Sequence, residues 1–148
     1  MRERLVRIAK AFSVAIAVAT LALTTTTTAH ATTYDLSRTL YLTGSPSNGG
    51  ADPSMERSVT LQSGYYYWYM GVTPVGTIAV TQPLRDIYLT GGTYTWNCTL
   101  YNWDGYYTQG CYLNLPGHPT AAVTRGAFSI SSGEYVMFSQ LEPYLVVS

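Results

Sequence analysis

The chain is 148 residues long, and its eight basic side chains balance its eight acidic ones. Beyond residue 31 the balance is lost: Arg38, Arg57, Arg85 and Arg125 face Asp35, Asp52, Glu56, Asp86, Asp104, Glu134 and Glu142, with no lysine, for a net charge of −3. Gripping phosphate needs clustered Lys or Arg, so nucleic acid and anionic membranes are excluded as expected partners.

Residues 1–31 read as a secretory signal peptide. Arg2, Arg4, Arg7 and Lys10 open the chain, an apolar stretch runs from Ala11 to Leu23, and Ala29-His30-Ala31 supplies a small-residue cleavage site. The apolar stretch is shorter than the roughly 20 residues a membrane span requires. No later segment has the length or hydropathy to span a membrane, so the expected location is extracellular. Residues 32–148 are then one domain.

That domain is rich in strand formers. All 14 tyrosines lie in it, together with 15 threonines. β-branched and aromatic residues suit a pleated, half-buried surface. Gly, Pro, Asn and Ser divide the chain into short segments, and no window has a helical period. The expected fold is all-β: a single-domain antiparallel sandwich of Greek-key, immunoglobulin-like or jelly-roll-like type, with one hairpin disulfide.

In chain order, Arg38-Thr39-Leu40-Tyr41-Leu42-Thr43-Gly44 is the first apparent strand, and Arg85-Asp86-Ile87-Tyr88-Leu89-Thr90-Gly91 echoes it. A glycine-rich loop follows. Its Asn48 and Asp52, with Glu56 beyond it, could ligate calcium, but an ordinary solvated loop is the simpler reading, and no metal or cofactor is expected.

A ten-residue pattern then recurs three times: apolar, x, apolar, x, x, Gly, x, Tyr, x, apolar. The copies are Val59, Leu61, Gly64, Tyr66, Trp68; Ile87, Leu89, Gly92, Tyr94, Trp96; and Phe128, Ile130, Gly133, Tyr135, Met137. Period-2 spacing on both sides of the glycine means two strands joined at a tight corner. A two-residue hairpin would place Leu61 opposite Tyr66 and Val59 opposite Trp68, with each glycine supplying a positive φ. The alternative is an arch between two sheets. In that form the motif resembles the tyrosine corner of immunoglobulin-like sandwiches, which implies a buried tyrosine with its hydroxyl bonded near the corner. The Cys…Trp…Cys frame of immunoglobulin domains is absent, so the resemblance extends to the fold alone.

The second copy leads into a hairpin. With Asp104-Gly105 at the turn, Asn102 pairs with Tyr107, Leu100 with Gln109, and Cys98 falls opposite Cys111 in a non-hydrogen-bonded pair, where side chains lie closest. In an exported protein these two cysteines form a disulfide. Asn97-Cys98-Thr99 also matches a glycosylation sequon.

Alternation sorts the faces. Tyr94, Trp96, Cys98, Leu100 and Asn102 point inward, as do Tyr107, Gln109, Cys111, Leu113 and Leu115. Tyr101, Trp103, Tyr106 and Tyr112 point outward among Thr and Asn. In the first copy Tyr66, Trp68 and Met70 point inward, leaving Tyr65, Tyr67 and Tyr69 outward. Exposed flat rings with polar tips stack on sugars or anchor protein partners.

Catalytic signatures are missing. His118 sits in Pro116-Gly117-His118-Pro119, a turn, and no Gly-x-Ser-x-Gly elbow or phosphate-cradling glycine loop occurs. The expectation is a small secreted non-catalytic protein that binds polysaccharide or cell-wall glycan through its rings. The alternatives are an envelope or matrix protein that self-associates through tyrosine patches, and an inhibitor or toxin acting through the Cys98–Cys111 hairpin on an extracellular protein.

Overall fold

A computed structural model describes residues 33–48, 50–77 and 82–147. The expected signal peptide lies outside the described residues. Eight strands follow in order: β1 (Tyr34–Leu42), β2 (Ser54–Leu61), β3 (Gly64–Pro74), β4 (Arg85–Leu89), β5 (Gly92–Asn102), β6 (Tyr107–Asn114), β7 (Ala121–Phe128) and β8 (Gly133–Val146). They form two four-stranded antiparallel sheets, ordered β1-β8-β3-β4 and β2-β5-β6-β7. Among the described residues no helix is long and apolar enough to cross a membrane.

The three repeats are arches. Each glycine stands at the point where the chain leaves one sheet and enters the other, between β2 and β3, β4 and β5, and β7 and β8. Leu61 and Tyr66 therefore lie in different sheets, and the hairpin alternative is not the one formed. The corner tyrosines are buried, and their hydroxyls donate four residues back: Tyr66 to the Gln62 carbonyl at 2.6 Å, Tyr94 to that of Thr90 at 2.5 Å, and Tyr135 to that of Ser131 at 2.6 Å. Each bond ties the new strand to the segment that turned the corner.

The positive φ that a hairpin would demand at all three glycines is found at one of them. Gly92 has φ +157°, whereas Gly64 and Gly133 have ordinary backbone. Gly64 is required for a different reason: a Cβ there would lie 2.3 Å from the Leu145 carbonyl oxygen. At Gly133 the nearest atom to such a Cβ is Tyr135 Cε1, at 3.8 Å.

Strand alternation builds the core. Trp68, Trp96, Leu100, Leu113, Met137 and Leu141 are fully enclosed between the sheets. Two polar side chains share this interior, and both reach across strands. The Trp68 indole N–H donates to Ser139 Oγ at 3.0 Å, and that hydroxyl donates to the Tyr69 carbonyl at 2.9 Å. Gln109 Nε2 reaches the Gly71 carbonyl of the opposite sheet at 3.4 Å. The disulfide Cys98–Cys111 crosses β5 and β6 as the register requires, with Cα atoms 4.1 Å apart. Met70 Sδ lies 3.3 Å from Cys111 Sγ, a packing contact, since a disulfide sulfur has no proton to donate.

Three arginines fasten the sandwich edges. Each occupies a core-facing register position of an edge strand, where only a long side chain can reach out past the core. Arg38 of β1 donates to the Ser54 carbonyl at 2.7 Å, and Arg57 of β2 donates to the Asp35 carbonyl at 2.8 Å. On the other side Arg85 of β4 donates to the Ala122 carbonyl of β7 at 2.6 Å. Inward-pointing charges on edge strands also block edge-to-edge pairing with other chains. Arg125 lies over the Phe128 ring, 3.9 Å from its centroid, and burial lowers the pKa of its guanidinium.

Candidate functional site

The β5–β6 hairpin carries the larger set of expected ligand-binding rings. Its inward row, from Tyr94 to Leu100 and from Tyr107 to Leu113, is buried in the core, so the alternate row faces solvent. Trp103 retains 37% of its surface, and Tyr101, Tyr106 and Tyr112 about as much. Trp103 is nonetheless held in place. Its indole N–H donates to Thr108 Oγ1 at 2.9 Å, and its ring lies nearly parallel to Tyr106, with centroids 6.2 Å apart and an interplanar angle of 17°. Tyr101 lies over Gly110, where even an added Cβ would be 3.7 Å from Tyr101 Cε2. Trp103 and Tyr106 thus pair at the tip, and Tyr101 leans along β6 towards Gly110. Tyr112, paired with Asn97, stands four residues along β6 from the level of Tyr101, roughly 14 Å away at strand rise.

The tip is braced. Gly105, with φ +88°, donates its N–H to the Pro46 carbonyl at 2.8 Å, and Asp104 Oδ1 accepts from the Asn48 N–H at 3.1 Å. Just before β2 begins, the same loop runs beside β5. Leu100 N–H donates to the Pro53 carbonyl, Asn102 N–H to Asp52 Oδ1, and Asn102 Nδ2 to the Ala51 carbonyl. Residues 45–48 and 50–53 therefore clamp the edge and end of the hairpin and leave Tyr101, Trp103 and Tyr106 exposed. Asp52 caps a backbone amide, and among the described residues no group of three or more His, Cys, Asp and Glu side chains could hold a metal ion. His118 lies in an exposed turn closed by its N–H on the Leu115 carbonyl. In the sequon, Asn97 Oδ1 accepts from Thr99 Oγ1 at 3.4 Å, beside the disulfide.

The second set of expected rings lies on the opposite side of the molecule. Tyr65, Tyr67 and Tyr69 face outward from β3, as alternation requires, with Tyr65 exposed and the other two half-buried. The fold brings Tyr88 of β4 and Tyr144 of β8 to them. Tyr67 stacks on Tyr144 with centroids 4.1 Å apart, and Tyr65 meets Tyr88 edge-on at 5.1 Å. Two carboxylates lie directly beside this cluster, since Tyr67 pairs with Asp86 on one side and Glu142 on the other. The Tyr144 hydroxyl donates to Asp86, and the Tyr69 hydroxyl donates to Glu142 at 2.8 Å. The hydrogen bond to Asp86, with burial and the Asp86 charge behind it, raises the Tyr144 pKa to about 12.

Sequence reasoning did not include Tyr88, Tyr144, Asp86 or Glu142 in this patch. Alternation was the signal that could have found them: Tyr88 separates the inward Ile87 and Leu89, and Glu142 and Tyr144 continue the outward parity of β8. No protein-family model matches the chain, and neither a curated protein nor a solved structure matches it.

Proposed function

We propose that the domain is a secreted, non-catalytic module that binds an extended, uncharged polysaccharide across the tip of the β5–β6 hairpin. Tyr101, Trp103 and Tyr106 would stack on sugar rings, and Tyr112 would meet the same chain further along. The observation that carries this reading is Trp103, an indole open to solvent yet fixed by Thr108 and Tyr106. A ring already held in one orientation loses little freedom when a ligand stacks on it. Its N–H is used within the protein, so what it offers a ligand is an apolar face. The disulfide behind the rings and the loop against the tip favour a rigid platform over an inserting finger.

Each ring contributes about 0.5–1.5 kcal/mol beyond its buried area, so two or three give binding roughly in the micromolar-to-millimolar range. Sedimentation with insoluble chitin, cellulose and peptidoglycan tests the reading. The protein should pellet with at least one, with little dependence on salt. Trp103→Ala should weaken retention at least several-fold and leave the melting temperature nearly unchanged. Retention by none of the three, or equal retention of the variant, would refute the assignment.

A further inference from the structure

The two outer faces differ in charge. On the outer face of β1-β8-β3-β4 stand Asp35, Asp86, Glu134 and Glu142, each at an outward position by strand alternation. Among the described residues the strands of that face present no basic side chain, because Arg38 and Arg85 sit at core-facing positions and reach across to the other sheet. The opposite outer face is nearly neutral, with Glu56 on β2 and otherwise Thr, Ser, Asn and aromatic residues on β2, β5 and β6. Aromatic rings occur on both faces; on the strands of the first sheet they have carboxylates as cross-strand neighbours, whereas the hairpin rings have Asp104 of the turn, which accepts from the Asn48 N–H.

We propose that the outer face of the first sheet is a second, separate binding surface whose partner is an extended, arginine-bearing peptide segment of another protein. A guanidinium can lie flat on a tyrosine ring while its edge donates to a carboxylate. Tyr67, with Asp86 and Glu142 as its neighbours on either side, provides both halves of that site. Tyr65, Tyr67 and Tyr69 recur at every second residue of β3, roughly 6.8 Å apart, the spacing at which an extended peptide presents alternate side chains to one side. Tyr67 and Tyr144 are in face-to-face contact, which leaves no gap for a cation between them. The partner therefore lies across the rings. A second copy of the chain is disfavoured as the occupant: joining two such faces would set carboxylates against carboxylates with no cation between.

Binding of a synthetic peptide of alternating arginine and threonine, against one of alternating glutamate and threonine, tests this by calorimetry on the full domain. The arginine peptide should bind at about 0.01 M salt and weaken at least ten-fold by about 1 M, as the screening length falls from roughly 30 Å to roughly 3 Å. The glutamate peptide should not bind. Asp86→Asn with Glu142→Gln removes the charges and keeps the acceptors for Tyr144 and Tyr69. The double variant should bind the arginine peptide about ten-fold more weakly, with an unchanged melting temperature and unchanged polysaccharide retention. Trp103→Ala should bind the peptide as the parent does, which separates this surface from the hairpin platform. No binding at low salt, undiminished binding by the double variant, or tighter binding of a soluble glucosamine polymer than of the peptide would each overturn the proposal.

Discussion

Alanine at each of the three repeat glycines gives a graded test of the corner geometry, since one sequence position in the motif has three different physical settings. At Gly64 the new Cβ would sit 2.3 Å from the Leu145 carbonyl oxygen and 3.0 Å from Val146 Cα, both backbone atoms of the paired strand. Carbon and oxygen do not approach below about 3 Å, so β8 must move by most of an ångström. That shift strains the Gly64–Val146 pairing and the bond from Val147 N–H to the Ser63 carbonyl. Overpacking costs about 1–3 kcal/mol and each ladder bond about 0.5–1.5, so Gly64→Ala should cost roughly 2–4 kcal/mol. At Gly92 the obstacle is Leu115 Cδ1 at 2.8 Å, the movable end of a side chain, together with a φ of +157°. There the cost should be about 1 kcal/mol. At Gly133 the space is open, and the smaller conformational freedom of the unfolded chain should make alanine neutral or stabilising by up to about 1 kcal/mol. Urea denaturation of the three variants measures the order directly. A Gly133→Ala variant as damaged as Gly64→Ala would refute the close-approach explanation and restore a common backbone requirement.

Replacing Cys98 and Cys111 together by alanine removes a link spanning a sequence separation of 13, which should cost about 3 kcal/mol in urea denaturation without loss of the fold; intact protein should show no titratable thiol. Tyr135→Phe deletes the bond to the Ser131 carbonyl and should cost about 1 kcal/mol, with Tyr66→Phe and Tyr94→Phe alike, in the same assay. Burial, with a smaller contribution from Tyr34 and Tyr94, raises the Tyr66 pKa to about 12, as the Asp86 contact does for Tyr144. A raised tyrosine pKa favours the neutral native form, so this stability is complete below pH 10, the ordinary value, and is lost as pH rises towards 12. Burial raises Tyr94 and Tyr107 as well, so tyrosinate absorbance should show Tyr66, Tyr94, Tyr107 and Tyr144 ionising late, and Asp86→Leu should lower the Tyr144 pKa.

Much of the fold was legible because alternation is a local signal. The Asp104-Gly105 turn sets the hairpin register, and that register alone places Cys98 opposite Cys111. The same counting separated Trp103 and Tyr101 from Trp96 and Leu100. At the corners, period-2 spacing on each side of glycine suited a hairpin and an arch equally. What decides between them is the pairing of β2 with β5 and β3 with β4, a long-range choice made by the whole core. Gly64 shows the same limit, since the atom that demands glycine is Leu145 O, on the last strand. The Tyr88, Tyr144 and Asp86 group exists only because β4 and β8 both flank β3. The sequence shows four arginines beyond residue 31, but not that three of them end on backbone carbonyls across the sandwich edge.

The central claim is that a solvent-open, prefixed Trp103 meets a polysaccharide, and tryptophan fluorescence isolates that residue. Trp68 and Trp96 are fully buried, so acrylamide quenching of the folded protein reports on Trp103 alone. The proposed function predicts one accessible tryptophan in the free protein, shielded by soluble fragments of whichever polysaccharide retains the domain, with both signals absent in Trp103→Phe. Retention on a polysaccharide whose fragments leave Trp103 fully open to quencher would contradict it.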